Sequence, residues 1–275
     1  MTIDYAAEYN NRARVPEYPE IMAGWARDAA SYRTSARAER DLAYGESDRC
    51  RIDIFHPAGN ASGALVVFVH GGYWRSLDKD QFSHLAAGLN AHGLSVALPG
   101  YDLCPAVTIR DIVDEMRAAV SFLHRHTGQR RVMTGHSAGG HLAAALVATD
   151  WSALDPSLPA DVTGTGLAIS GLFDLLPLIE TPLNEDLRLG AAEAKAMSPL
   201  WWPVPHGRRL EAWVGGDESS EYLRQARSVA EMWTAGGART GWEAIPGANH
   251  FTAIAPLTDP ASPMVARIVE MARSP

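Results

Sequence analysis

The chain has 275 residues, 47% of them hydrophobic and 20% charged, enough apolar surface to close a large core beneath an ordinary polar exterior. Its formal net charge of −8 would repel a polyanion, and no Lys/Arg cluster offsets it, so nucleic acid is disfavoured as a partner. No apolar run approaches the roughly 20 residues of a membrane span, and the amino-terminal stretch lacks a basic segment followed by an apolar one. No membrane association and a cytoplasmic location are therefore expected. Cys50 and Cys104 are too few for a disulfide framework and are expected as reduced thiols in or near the core.

Residues 1–40 read as a helical and irregular preface broken by Pro16 and Pro19. Short strand patterns follow at 42–44 and 51–55, the second alternating with period two, which is the mark of antiparallel edge strands. The run Ala64 to Val69 is continuously apolar and rich in β-branched residues, as a strand buried on both faces of a parallel sheet requires. Beyond it the pattern alternates. Helices are expected at 80–92, 109–126, 138–149, 221–235 and 262–272, and strands at 95–98, 131–134, 166–170, 210–214 and 240–245. Repeated strand–helix units imply a mostly parallel, doubly wound sheet, here of eight strands. The Leu/Pro-rich stretch at about 174–205 is too long for a simple connection and is expected to form a helical cap. The expected organisation is thus a preface (1–40) and one α/β domain (41–275) carrying the cap.

Chemistry enters at Gly135-His136-Ser137-Ala138-Gly139-Gly140. A strand runs directly into G-x-S-x-G and a helix begins immediately afterwards, the context in which this pattern forms the nucleophile elbow of the α/β-hydrolase fold. Small residues at 135 and 139 permit the sharp turn, and Ser137 is left at a helix N-terminus, where developing negative charge is favoured. A serine needs a base and an orienting acid, which this fold supplies in the order Ser, Asp/Glu, His. His250, in the turn Pro246 to Phe251 after the last strand, is the expected base. Gly215-Gly216-Asp217-Glu218 ends the preceding strand and offers Asp217 as the acid, with Glu218 its local competitor and Asp174 a more distant one. His70-Gly71-Gly72-Tyr73-Trp74 follows the central strand, where the oxyanion loop belongs. Gly71, Gly72 and Tyr73, with the N–H of Ala138, are the candidate donors. His70 is expected to steady that loop, while His136 and His141 are expected to pack beside the elbow.

The HGGYW run, GHSAGGHLAA, TDW at 149–151, SGLFDL at 170–175, SPL at 198–200 and the closing NHF together resemble the α/β-hydrolase-fold kynurenine formamidases (arylformamidases) and their bacterial relatives. The resemblance extends into the preface through YNNRARVP, Trp25 and Arg33. It implies Ser137 as nucleophile, Asp217 as acid, His250 as base and a hole formed by residues 71–73. Where related esterases carry a third glycine, this chain has Tyr73-Trp74, which favours the formamidase branch.

The expected activity is cleavage of a small formamide, amide or ester through an acyl-enzyme, with no metal and no cofactor. Arylformamidase comes first, a general carboxylesterase second, and a non-catalytic ligand-binding protein on a hydrolase scaffold third. Tyr73, Trp74, Phe173 and His136 are candidate substrate contacts. A homodimer is allowed by the sequence and not required by it.

Overall fold

The computed structural model describes residues 3–59, 61 and 63–274. The preface folds into α1 (Tyr5–Glu8), α2 (Asn11–Arg14) and α3 (Tyr18–Ser35). Asp4 and Asn10 cap the two short helices by accepting from Ala7 N and Ala13 N, satisfying donors that a helix start leaves free. Pro16 separates α2 from α3. Pro19 does not break a helix as expected but lies in the first turn of α3, where a missing N–H costs nothing.

Strand β1 (Ala38–Ala43) pairs antiparallel with β2 (Arg51–Phe55) across an irregularity between Glu39 and Leu42. β3 (Ala64–Val69) is buried at every position. The segment expected as one helix at 80–92 divides into a 3-10 helix (Lys79–Ala86) and α4 (Ala87–Ala91). Apolar periodicity over so few residues does not separate three residues per turn from 3.6. Then come β4 (Ser95–Pro99), α5 (Ile109–Thr127), β5 (Arg130–His136), α6 (Ala138–Ala148), α7 (Trp151–Leu154) and β6 (Thr165–Ile169). Residues after β6 form short 3-10 turns together with α8 (Asn184–Leu187) and α9 (Ala191–Ala196). The chain closes with β7 (Arg209–Gly215), α10 (Ser220–Ala235), β8 (Arg239–Ile245) and α11 (Pro263–Arg273).

Among the described residues, eight strands make one sheet in the order β1-β2-β4-β3-β5-β6-β7-β8, parallel from β4 onward and antiparallel at β1 and β2. This is the α/β-hydrolase fold. Side chains of β3 alternate between two cores: Leu65, Val67 and Val69 pack with α5, α6 and α10, whereas Val66 and Phe68 face α3, α4 and α11. Both cysteines are buried and free, and no helix of the described residues is long and apolar enough to cross a membrane.

The preface is fastened to the sheet by a buried ion cluster. Asp53, on β2 and almost fully enclosed, accepts from Lys79 Nζ at 2.9 Å, from the Arg33 guanidinium at the end of α3, and from the N–H of Asp41 at 2.9 Å. Lys79 also reaches Asp41 and Asp80, and these hydrogen bonds raise its ammonium pKa against the opposing effect of burial. Because buried charges without partners are costly, Asp53→Ala should lose about 3 kcal/mol in urea unfolding. Removing the exposed Arg27–Asp28 pair by Arg27→Ala should change stability by less than about 0.5 kcal/mol.

Candidate active site

Ser137 sits at the junction of β5 and α6 with φ 56° and ψ −119°, a sparsely populated conformation for a residue with a side chain and one that marks functional turns. The turn is held by close backbone packing. A Cβ on Gly139 would fall 1.9 Å from the carbonyl oxygen of Val69 at the end of β3, so no larger residue fits. Ser137 N donates to Ile169 O at 2.9 Å, which binds the elbow to β6 as well.

His250 lies in the loop after β8, and its Nδ1 is 2.7 Å from Glu218 Oε2. Glu218 Oε1 accepts from Ser170 Oγ at 2.5 Å and from the N–H of Gly215 at 2.7 Å. Both residues are buried. The expected acid, Asp217, is exposed and directs no hydrogen bond toward His250; its backbone N–H is used instead on Ala248 O at 3.0 Å. The correction from Asp217 to Glu218 has a local cause. β7 ends in a tight turn in which Glu218 N returns to Gly215 O, which leaves Asp217 exposed on the turn and Glu218 buried against His250. Asp174 is engaged elsewhere, with Arg224.

Three further groups complete this arrangement, and sequence reasoning gave them little or no role. Ser170, at φ 51°, orients Glu218. His136 Nε2 donates to the backbone oxygen of His250 at 2.8 Å, with the rings 4.6 Å apart. Burial first, and the neighbouring His250 second, push the His136 pKa far down, so it is a neutral clamp. Tyr222, on the first turn of α10, lays its ring 4.6 Å from that of His250.

The loop after β3 carries Gly72 at φ 106°, Tyr73 at 50°, Trp74 at 55° and Leu77 at 72°. Such a run for residues with side chains costs on the order of 1–3 kcal/mol each and persists only where surroundings impose it. Here Trp74 is fully buried with its carbonyl accepting from Cys104 N at 2.8 Å, and Arg49 donates to Leu77 O at 2.7 Å. His70 steadies the base of the loop: its Nδ1 donates to Gly71 O at 2.8 Å and its ring stacks 4.2 Å from Tyr101. Burial lowers its pKa to about 4. A Cβ at Gly71 would lie 2.8 Å from His136 O, so glycine allows this loop to reach the elbow. Among the described residues the backbone N–H groups of Gly71, Gly72, Tyr73 and Ala138 find no protein acceptor.

A cavity of about 220 Å³ opens over Ser137 and His250. Its walls come from three directions: Asn11, Tyr18, Met22 and Trp25 of the preface, Gly72, Tyr73 and Arg75 to Leu77 of the loop, and Thr181 to Leu183 before α8. Of the candidate substrate contacts, Tyr73 and His136 line it. Trp74 and Phe173 do not. Trp74 packs edge-on against His141 at 5.0 Å, and Phe173 is enclosed in the core. The contribution of the preface went unread because residues 5–25 carry no motif that announces a cavity wall.

Residues 52–165 match the BD-FAE family. The kynurenine formamidase of Danio rerio is 30% identical over 227 residues, covering 80% of this chain and 76% of that protein. A Silicibacter protein described provisionally as a thioesterase is 38% identical, superposes with a TM-score of 0.86, and is covered along with 98% of this chain over 100% of its own length. An esterase of the bacterial hormone-sensitive lipase family shares the fold at a TM-score of 0.70 and 22% identity, over 94% of this chain and 98% of its own. The protein is a hydrolase of small amides or esters, and the chain belongs to the kynurenine formamidase family.

Proposed function

We propose that this enzyme is an arylformamidase that cleaves formamides of the N-formylkynurenine type through Ser137, Glu218 and His250. The observation that carries the reading is the buried line from Ser170 through Glu218 to His250, ending in a cavity that also contains the strained Ser137. Tyr18, Met22, Trp25 and Phe251 supply apolar and aromatic walls suited to an aryl leaving group. A cytoplasmic location belongs to the same reading, as does a division of labour in which residues 1–40 and the cap at about 174–205 close a site built by the α/β domain.

In the proposed mechanism His250 Nε2 takes the Ser137 proton as Oγ attacks the formyl carbon. Glu218 holds the other ring nitrogen and stabilises the imidazolium. The N–H groups of Ala138 and of Gly72 or Tyr73 receive the oxyanion. His250 then protonates the departing amine nitrogen, the C–N bond breaks, and water, activated by the same histidine, hydrolyses the formyl-serine. Ester cleavage is the second reading, supported by the likeness of part of the chain to an isoprenylcysteine methylesterase of Arabidopsis thaliana, 33% identical over 131 residues.

Ser137→Ala should lower kcat by about 10⁵-fold or more while leaving the thermal transition in place; substantial residual turnover would assign the nucleophile elsewhere. Glu218→Gln should cost about 10⁴-fold in kcat, and Asp217→Asn should leave turnover close to wild type. The reverse order would restore Asp217 as the acid. The function itself is tested by kcat/KM on N-formylkynurenine against p-nitrophenyl acetate and butyrate: efficient formamide cleavage is expected, and fast ester turnover with no formamide cleavage would leave the esterase reading in its place.

A further inference from the structure

A network of four hydrogen-bond contacts, three of them made by the preface, stands at the wall of the cavity over Ser137. Tyr73 OH donates to the backbone oxygen of Tyr9 at 2.7 Å and lies 2.7 Å from Tyr222 OH. Asn11 Nδ2 is 3.2 Å from Tyr73 OH and 2.9 Å from Tyr222 OH. Burial raises both phenol pKa values, so each tyrosine keeps its proton.

The protons can therefore be counted. Tyr9 O is an acceptor only, so it takes the Tyr73 proton; Tyr222 must then donate to Tyr73. The two hydrogens of the Asn11 amide fill the two remaining contacts. Four contacts use four protons. Turning the carboxamide over would leave two protons for the same four contacts and bring bare oxygens together, so the network fixes its orientation. The amide nitrogen of Asn11 is committed to the tyrosines, and its Oδ1 is the branch left over. Among the described residues that oxygen accepts nothing, and it belongs to a residue lining the same cavity as Ser137 and His250. A preorganised acceptor with no donor of its own is matched to a ligand N–H and offers nothing to an ester oxygen in that position.

We infer that Asn11 Oδ1 is the specificity-determining group that accepts the N–H of the scissile amide and so favours formamides over esters. The inference rests on the formamidase reading and adds a residue to it. As Ser137 attacks, the amide nitrogen changes from planar to pyramidal. An acceptor holding its N–H turns the new lone pair toward His250, which must protonate that nitrogen before the C–N bond can break. The contact is worth most where the nitrogen is pyramidal, and so acts on kcat/KM through the transition state. Glu221 accepts from Tyr9 OH at 2.8 Å and Gln225 Nε2 donates to the same hydroxyl at 2.9 Å, which holds the segment carrying Asn11 against α10.

The test uses three substrates that share one formyl-enzyme: formanilide, N-methylformanilide and phenyl formate. Asn11→Leu should lose about tenfold more kcat/KM on formanilide than on either compound without an N–H, the value of one hydrogen bond. Asn11→Asp keeps an acceptor oxygen and should preserve the formanilide to phenyl formate ratio even where both rates fall. Equal losses on all three substrates with Asn11→Leu would overturn the inference and leave Asn11 a structural tie. Wild type gives a reading that needs no variant: scaled to alkaline hydrolysis, N-methylformanilide should be cleaved about tenfold less well than formanilide, and parity would overturn the inference. Failure of the formamidase reading is seen separately, as wild-type ester turnover with neither formamide cleaved.

Discussion

The site depends on the parallel register of five strands. Val69 stands opposite Gly135, His136 opposite Ile169, Ile169 opposite Trp213, and Gly215 opposite Ile245. The carboxyl ends of β3, β5, β6, β7 and β8 therefore finish at one level, and the loop after β3, Ser137, Ser170, Glu218 and His250 leave from adjacent positions along that edge. Ligand sites of open α/β sheets form at such edges. What is particular here is how little room separates the strands' ends. The elbow glycines touch the backbone of β3, and the chain tolerates a series of left-handed residues rather than move the loop away.

Three buried histidines help hold the segments at this edge, one of them, His136, directly beside His250. His70, His136 and His141 are all buried, and all have their pKa lowered by desolvation. Each spends a ring nitrogen on a backbone carbonyl: Gly71, His250 and Met197 respectively. They are spacers that hold loops without adding charge, and His136 in particular places a neutral ring beside His250.

Much of this was legible in the sequence, because the strongest signals were long or locally determined. The apolar run of β3, the strand–turn–helix around Ser137 and the turn bearing His250 all depend on neighbours in the chain. The acid did not. In Gly-Gly-Asp-Glu a shift of one residue within a tight turn decides which carboxylate faces inward, and that shift is set by Ala248 and Gly215 backbone contacts that no spacing encodes. Trp74 and Phe173 misled for a related reason: aromatic residues beside a motif are equally suited to wall and core, and here the positive φ of Trp74 turns its ring away from the cavity. The preface was opaque because its effect is exerted through Asn11 and Tyr9 on residues about 210 positions away.

That separation has a kinetic consequence. Tyr9 and Glu221 are 212 residues apart, so this contact closes a loop that spans most of the chain, and long closures are entropically late events in folding. The preface must wait for α10, which follows it by most of the chain, before it can dock. Until it does, the carboxyl edge of the sheet can assemble with one wall of the cavity over Ser137 and His250 open, and the selectivity proposed for Asn11 would be the last property to mature.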